Sequence, residues 1–571
     1  MNLAIQLLLI LSLLDLSRIF CFGFIIGPRI EAGRYPDTFS QLHIGDGSDT
    51  QHTSYFQPTN ISIQDVYVAH VETLRDRFPS YECREGADGS NGATLNFNER
   101  RQRGTNGEQE KECDIDDEYC NLDSHVANLQ FQELVGDDEV VLVDTVLKGG
   151  MDSVSRAFCR AGPKRHLHFD PSKVNAAILS AGGLCCGVNN VIRELVHSLY
   201  YLYGANKVYG IQGGFHGFHD PNCPPILLTT DMVENIHHEG GTILGSSRGG
   251  FDIEKIFDFV EKHSINQLFI IGGDGTHRGA YAIHKACMER GVELAVVGIP
   301  KTIDNDIDYI DRSFGFQTAC EAAQLAIHSA KTEAKCNFPN GIGICKLMGR
   351  YSGFLAAFAA LGSQDVDLVL VPEVPIILEG PQGILPFLRK RIKEQKYVVV
   401  VVAEGAGEEI LGVSDVLDAG GNRALPEIGP YLQKVLKEYF SKFGETTTIK
   451  YIDPSYTVRT VPANGADSLY CQQLAMDAVH AAMAGFTGFS IGLVNKQNVL
   501  IPIPQLVATS PRHLDPLGST WERILAMTGQ PSSISKNAKS TGTPTDASTI
   551  LPKSSGELIV MESGLPEPSA H

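Results

Sequence analysis

An α/β fold built on parallel β-sheets is predicted for this chain of 571 residues by three observations. Short apolar runs alternate with longer stretches of helical period, the pattern of repeated βα units. Glycine- or carboxylate-bearing motifs recur at the ends of those runs, where open parallel sheets collect ligands. The apolar and charged fractions, 43% and 20%, are those of a soluble globular protein with a sizeable core.

Asn175–Ser180 reads as a strand, Gly182–Gly187 as a turn and Val188–Tyr203 as a helix. Further strands are predicted at Gln267–Ile271, Leu294–Ile299, Gly341–Cys345, Asp367–Val371 and Tyr397–Ala403. Helices are predicted over His277–Arg290, Gly315–Ala334, Tyr351–Leu361, Gln382–Gln395, Gly429–Phe440 and Asp467–Gly485. This regular region occupies residues 135–531.

The flanks differ in kind. Residues 1–26 form a hydrophobic leader in which Asp15 and Arg18 break the apolar run, too short for a membrane span. It resembles a signal-peptide core without a basic start. A plastid import leader and a mis-assigned start codon both remain open, so a cytoplasmic location is expected, with a plastid as the alternative. Residues 27–134 are polar, without sustained period, and read as a largely irregular extension; Gly86–Asp117 reads as linker. Residues 532–571, rich in Ser, Thr, Pro and Lys, read as a low-complexity tail.

The net charge is −20, from 47 basic and 67 acidic residues. Nucleic acid and anionic membrane are thereby disfavoured as partners, and binding of an anionic substrate falls to local basic residues. Thirteen scattered cysteines, without a CxxC or Cys/His cluster, suit reduced thiols rather than zinc or a disulfide framework.

Two motifs carry the chemistry. Ile270-Ile271-Gly272-Gly273-Asp274-Gly275-Thr276 is an apolar strand entering a glycine turn just ahead of a helix. Backbone N–H groups of such a turn hold phosphate, and Asp274 can hold the accompanying magnesium. Pro300-Lys301-Thr302-Ile303-Asp304-Asn305-Asp306 brings a lysine and two carboxylates to the end of the next strand. Read as extended, it points both carboxylates to one side, where one can deprotonate an alcohol. Phosphoryl transfer to a hydroxyl follows from the pair.

Five weaker motifs surround them. Ala181–Gly187 is a glycine loop that could approach phosphate or simply turn the chain. Arg248 sits among small residues in Gly245–Gly250, as a phosphate clamp or a solvated side chain. Met348-Gly349-Arg350 and Ala403-Glu404-Gly405 each follow a strand; Arg350 could offset phosphoryl charge, and Glu404 could accept sugar hydroxyls. Lys450, Tyr456 and Arg459 could grip a sugar phosphate, with surface charge an equal alternative.

In this order and spacing, GGDGT, PKTIDND, MGR, the VAEG glutamate and the YxxR pair resemble the 6-phosphofructokinase family, most nearly its plant-type ATP-dependent branch. Ser247–Gly250, Tyr451–Pro454, Ala482–Phe489, Asp515-Pro516 and Thr528–Pro531 extend the likeness over Val141–Pro531. The resemblance implies two Rossmann-like three-layer domains with the active site between them, a homo-oligomer (a tetramer), and transfer of the ATP γ-phosphoryl to the 1-hydroxyl of fructose 6-phosphate. It implies Asp304 as base, Arg350 as a transition-state stabiliser and Asp274 as the Mg²⁺ ligand with Asp306 close by. Gly183, Arg248, Gly249, Gly273, Gly275 and Thr276 would line the nucleotide phosphates together with Asp274. Thr302, Ile303, Met348, Gly349, Arg350, Glu404, Lys450, Tyr456 and Arg459 would contact the sugar phosphate together with Asp304.

Family members that use pyrophosphate carry Asp at the position of Gly275, so Gly275 favours ATP, whereas Lys301 is typical of pyrophosphate users. The chain departs from the family at Cys186, usually Pro, and at Phe215-His216, usually Tyr-Arg. It departs also at Gly341, where the bacterial branch has an Arg that reaches a neighbouring subunit. Arg193 matches one basic residue of the bacterial effector site, and His197 stands in place of the second. NAD and lipid kinases share only the GGDGT loop, and a catalytically silent subunit would be expected to lack Asp304, Asp274 or Arg350.

Overall fold

The computed structural model describes residues 66–78, 80, 134–145, 155–412 and 424–533. The leader, most of the polar extension and nearly all of the tail lie outside the described residues. In chain order the strands are β1 (Val66–Val68), β2 (Val140–Leu142), β3 (Ser155–Arg160), β4 (Asn175–Ser180), β5 (Lys207–Ile211), β6 (Ile226–Leu227) and β7 (Gln267–Gly272). They continue as β8 (Ala295–Pro300), β9 (Gly341–Leu347), β10 (Leu368–Leu370), β11 (Tyr397–Ala403), β12 (Thr448–Ile452), β13 (Phe489–Val494) and β14 (Gln497–Pro502).

Two sheets result. The larger runs β1-β3-β14-β13-β8-β7-β4-β5-β6, with β2 on β3; its centre, β13-β8-β7-β4-β5, is parallel. Antiparallel pairs, β14 on β13 and β3 and β6 on β5, close its flanks. The smaller runs β10-β11-β9-β12, all parallel. Strands of such sheets are covered by helices on both faces, which is why Val398–Val402, β8 and β7 after Gln267 are buried apolar runs. The α/β architecture agrees with expectation, and the larger sheet is mixed rather than wholly parallel.

Element boundaries moved where glycine turns meet helices. The helix expected from His277 starts at Asp274, because the glycine turn is itself its first turn. The helix expected from Tyr351 starts at Phe354, after the turn through Gly353. The helix at Val188–His197 continues as a π-helical turn, Ser198–Tyr203, to the expected end. The segment after β8 is not extended. Asn305 adopts a left-handed φ of 56°, and the Thr302 hydroxyl donates to Asp306 Oδ1 at 2.7 Å, so the chain turns back on itself.

The chain visits the smaller sheet only between β8 and β13, so that sheet is an insertion into the larger one. Two further pieces pack onto the sheets, one on each. Gln530, following the helix Ser519–Thr528, bonds the N–H and carbonyl of Val369 on β10 at 2.8 and 3.0 Å. Within the polar extension, β1 pairs with β3, Leu74 N–H donates to Gly485 at 2.8 Å, and the Leu74 side chain is fully buried. A stretch that reads as irregular in sequence thus supplies an edge strand and a core residue. Leu74→Ala is expected to cost about 2–5 kcal/mol through the cavity it leaves, seen as a lower melting temperature; an unchanged melting temperature would refute the docking of this segment.

Candidate active site

Loops leaving the carboxyl ends of β4, β7 and β8 meet at a cleft of about 690 Å³. Parallel pairing dictates the meeting, since it puts the ends of these strands on one edge of the sheet. From β4 come Gly182 and Gly183, from β7 Gly273, Gly275 and Thr276, and from β8 Lys301, Thr302, Ile303 and Asp304. Arg248 and Gly249 line the same cleft, and Met348 and Arg459 reach it from the side of the smaller sheet. Gly349, Arg350 and Glu404 stand at the ends of β9 and β11, joined by the Glu404 N–H to Leu347 and the Gly405 N–H to Gly349 at 2.9 and 3.1 Å.

Asp304 is the most perturbed acid of this group. Burial, then repulsion from Asp306 and Glu404, pushes its carboxyl well above the usual carboxylate range, against the opposing pull of Arg350 and Arg459. Its Oδ1 is excluded from solvent without a hydrogen-bond partner. Glu404 is likewise raised, by burial, against the pull of Lys346 and Arg350. Asp306 is raised by burial, opposed by its hydrogen bond from Thr302. Buried acids crowded in this way are features of catalytic sites.

Lys301 is the buried cation of the cleft. Its ammonium donates to the Gly183 carbonyl, and burial, with the positive charges of Arg248 and Arg459 nearby, depresses its pKa to about 8. The β8 loop is thereby pinned to the β4 loop.

Asp274 opens its helix at the N-terminal end, where dipole and free N–H groups favour anions. Arg278, one turn on, donates to Asp274 Oδ2 at 2.8 Å, while Oδ1 is buried with no partner. An orphaned carboxylate oxygen of this kind fits a hard cation such as Mg²⁺, which takes one or two carboxylates and completes its shell with phosphate and water. Among the described residues no group of three His, Cys, Asp or Glu side chains forms a metal cage. Behind the loop, His277 Nδ1–H donates to the Gly273 carbonyl at 3.0 Å, and Nε2 accepts from the Ser490 hydroxyl at 2.9 Å.

Two predicted contacts fall differently. Lys450 pairs in register with Gly343, well before the end of β9, and its ammonium lies 3.5 Å from Glu333. Lys450 is not among the residues lining the cleft, and in the structure its ammonium faces Glu333. Tyr456 is 74% exposed and lies under the Arg459 guanidinium, 5.1 Å from ring centroid to Cζ. The basic residue that ties this segment to the site is Lys346 on β9, 2.7 Å from Asp453.

The departures from the family pattern also find places. Phe215 lines the cleft with Phe251, edge to face at 5.2 Å, over Gly279, where any Cβ would come within 3.1 Å of Phe215. The sequence reading passed over Phe251 and Gly279, although Phe251 directly follows the Arg248 loop. Cys186 is buried and its thiol donates to the Val458 carbonyl at 3.3 Å, linking the first glycine loop to the segment bearing Arg459. At Gly341 a Cβ would lie 1.8 Å from the Ala334 carbonyl, so the position is closed to a side chain.

The phosphofructokinase family model matches residues 175–482. ATP-dependent 6-phosphofructokinase 7 of Arabidopsis thaliana is 47% identical over 399 residues, 69% of this chain and 81% of the relative. The chloroplastic ATP-dependent 6-phosphofructokinase 4 of the same plant is 46% identical over 406 residues, 70% of this chain and 75% of the relative. The pyrophosphate-dependent phosphofructokinase of Marinobacter aquaeolei superposes with a TM-score of 0.52 over 63% of this chain and 92% of its own; at 20% identity this shows shared fold alone.

Lysine is charged below its pKa, so the cleft loses a positive charge as pH rises through about 8. Affinity for a nucleotide is therefore expected to weaken between about pH 7 and 9 in titration calorimetry, and Lys301→Met should flatten that slope. A slope that survives the substitution would assign the effect elsewhere.

Proposed function

The chain belongs to the phosphofructokinase family, and from that premise we propose how its residues divide the work. The reaction is transfer of the γ-phosphoryl group of ATP to fructose 6-phosphate, as in the ATP-dependent 6-phosphofructokinases it resembles at 47% and 48% identity. Asp304 is the general base that takes the proton from the 1-hydroxyl. The observation that carries this is its buried, unpartnered carboxyl oxygen in the cleft that the phosphate-type glycine loop also lines. A carboxylate raised above its usual range is a stronger base, and the proton it accepts relieves its repulsion from Asp306 and Glu404.

The glycine loops at Gly183, Gly249 and Gly273–Thr276 cradle the nucleotide phosphates, with Lys301 and Arg248 as counter-charges. Phe215 and Phe251 offer an aromatic edge to the purine. Arg350 and Arg459, close enough to pull on the Asp304 carboxyl, bear on the charge that develops during transfer. Thr302, Ile303, Met348, Gly349 and Glu404 orient the sugar, with Tyr456 at the rim. Asp274, through its free Oδ1, would hold Mg²⁺, which when bound supplies charge neutralisation between the phosphates.

A homo-tetramer in the cytoplasm, or in a plastid as for the chloroplastic relatives, completes the proposal. No helix among the described residues is long and apolar enough to cross a membrane.

Asp304→Ser is expected to lower kcat on the order of 10³-fold in a coupled assay with ATP, fructose 6-phosphate and Mg²⁺, with the melting temperature preserved. In the parent, kcat/KM should fall as pH drops through a value above the ordinary carboxylate range, because the base works only when ionised. Retained turnover in Asp304→Ser would remove the base from this assignment. At Gly275 a Cβ meets nothing within 4 Å, so Gly275→Asp should fold normally while its charge opposes the nucleotide. ATP turnover is then expected to fall at least about tenfold, equivalent to about 1.4 kcal/mol; unchanged ATP kinetics would show that position 275 does not select the donor.

A further inference from the structure

We propose that Arg512 is a positioning residue for phosphoryl transfer, through a strap, Ser510–Leu514, that ties the loop carrying Asp304 to the loop carrying Arg350. The proposal rests on the reading of Asp304 as the base.

The loop after β8 is held from within only near its start, by Thr302 on Asp306 at 2.7 Å and by the Ser313 N–H and hydroxyl on Asn305 Oδ1 at 2.8 and 3.2 Å. Residues 305–310 belong to no strand or helix, and Asn305 and Tyr309 take left-handed φ values of 56° and 65°. Non-glycine residues persist there only when their surroundings fix them. The strap adds backbone bonds along the rest of the loop from about two hundred residues away in sequence. The Arg512 N–H donates to the Asp306 carbonyl at 2.6 Å. Its guanidinium donates from Nη2 to the Asn305 carbonyl at 3.2 Å and from Nη1 to the Ile310 carbonyl at 3.1 Å. The Asp308 N–H donates to the Ser510 hydroxyl at 3.2 Å. Four bonds therefore fall within six residues, directly after the proposed base.

The same five residues hold the other side of the cleft. His513 Nδ1–H donates to the carbonyl of Tyr351, the residue after Arg350, at 2.7 Å. The Leu514 N–H donates to Glu373 Oε1 at 2.7 Å, and the Glu373 carboxylate accepts the Gly353 N–H at 3.0 and 3.1 Å. The Arg512 guanidinium also stacks on Phe354, 4.9 Å from the ring centroid. Loops leaving β8 in the larger sheet and β9 in the smaller one are thus held by a single short segment.

Arginine is needed for its shape. A planar fork can donate to two separate carbonyls while its face rests on an aromatic ring; an ammonium offers charge without that geometry. Misplacing a reacting group by about 1 Å costs on the order of 100-fold in rate. Loosening the strap should therefore cost kcat more than substrate affinity.

Steady-state kinetics of the full chain with ATP, fructose 6-phosphate and Mg²⁺, alongside melting temperatures, test this. R512K is expected to lose about ten- to a hundredfold in kcat, with both KM values within about twofold. H513A, at an exposed side chain, is expected to lose severalfold, and the double variant less than the product of the two. Should R512K not fold, H513A decides. A kcat within about twofold of the parent in either folded variant overturns the proposal, as does a rise in KM alone. Asp304→Ser in the same assay separates the two readings: an active Asp304→Ser overturns the base, whereas an inactive one beside an unaffected R512K overturns only the strap.

Discussion

A carboxyl group held where its charge is disfavoured is the constraint around which the rest of this site is arranged. Burial and two neighbouring acids press Asp304 toward the protonated form, while Arg350 and Arg459 press it the other way. These opposing terms come from different parts of the chain: Asp306 from the same loop, Glu404 and Arg350 from the ends of β11 and β9, Arg459 from beyond β12. The balance therefore exists only when both sheets are assembled. A buried acid without that assembly would simply stay protonated.

Rigidity at the glycine loops is obtained by packing from behind. His277 fills the space beneath the loop after β7, and a Cβ at Gly298 would stand 2.7 Å from its Nε2. Burial depresses the His277 pKa, so the ring stays neutral, with one nitrogen donating to Gly273 and the other accepting from Ser490. The ring takes up a loop carbonyl, while the N–H groups of the helix N-terminus stay open for anions. Lys301, reaching Gly183, performs the matching task between the β7–β8 side and the β4 loop.

Much of this was legible in the sequence because each motif stands at a strand end, and strand ends were visible as apolar runs. Asn175–Ser180 and Tyr397–Ala403 were located to the residue. Glycine loops carry their function in backbone conformation, which composition alone displays. What was hidden is what depends on register or on distant chain. That Lys450 pairs with Gly343, several residues short of the loop, and faces Glu333 could not be told from sequence. The turn at Asn305 was read as extended because a left-handed asparagine leaves no pattern in its neighbours. Phe251, in a loop, and Gly279, on the helix after β7, join at the cleft only through the fold, and Leu74 enters the core from a stretch whose composition is that of a linker.

Insertion of the smaller sheet between β8 and β13 gives these separate findings a common cause. A chain that leaves the larger sheet after β8 and returns at β13 has two crossing points, and a cleft opens between them. Residues on opposite walls then have no sequence-local means of keeping their distance. The structure answers with returns of the chain: Gln530 onto β10, Cys186 onto Val458, and the segment at Arg512 onto the loops after β8 and β9. Each return is a polar link between segments more than 150 residues apart, and each adds little stability by itself. Their value is geometric. They restrict the relative travel of two bodies that hydrophobic contact, being non-directional, would leave free to slide, and the base and cation proposed on opposite walls would require that restriction to face one reacting oxygen.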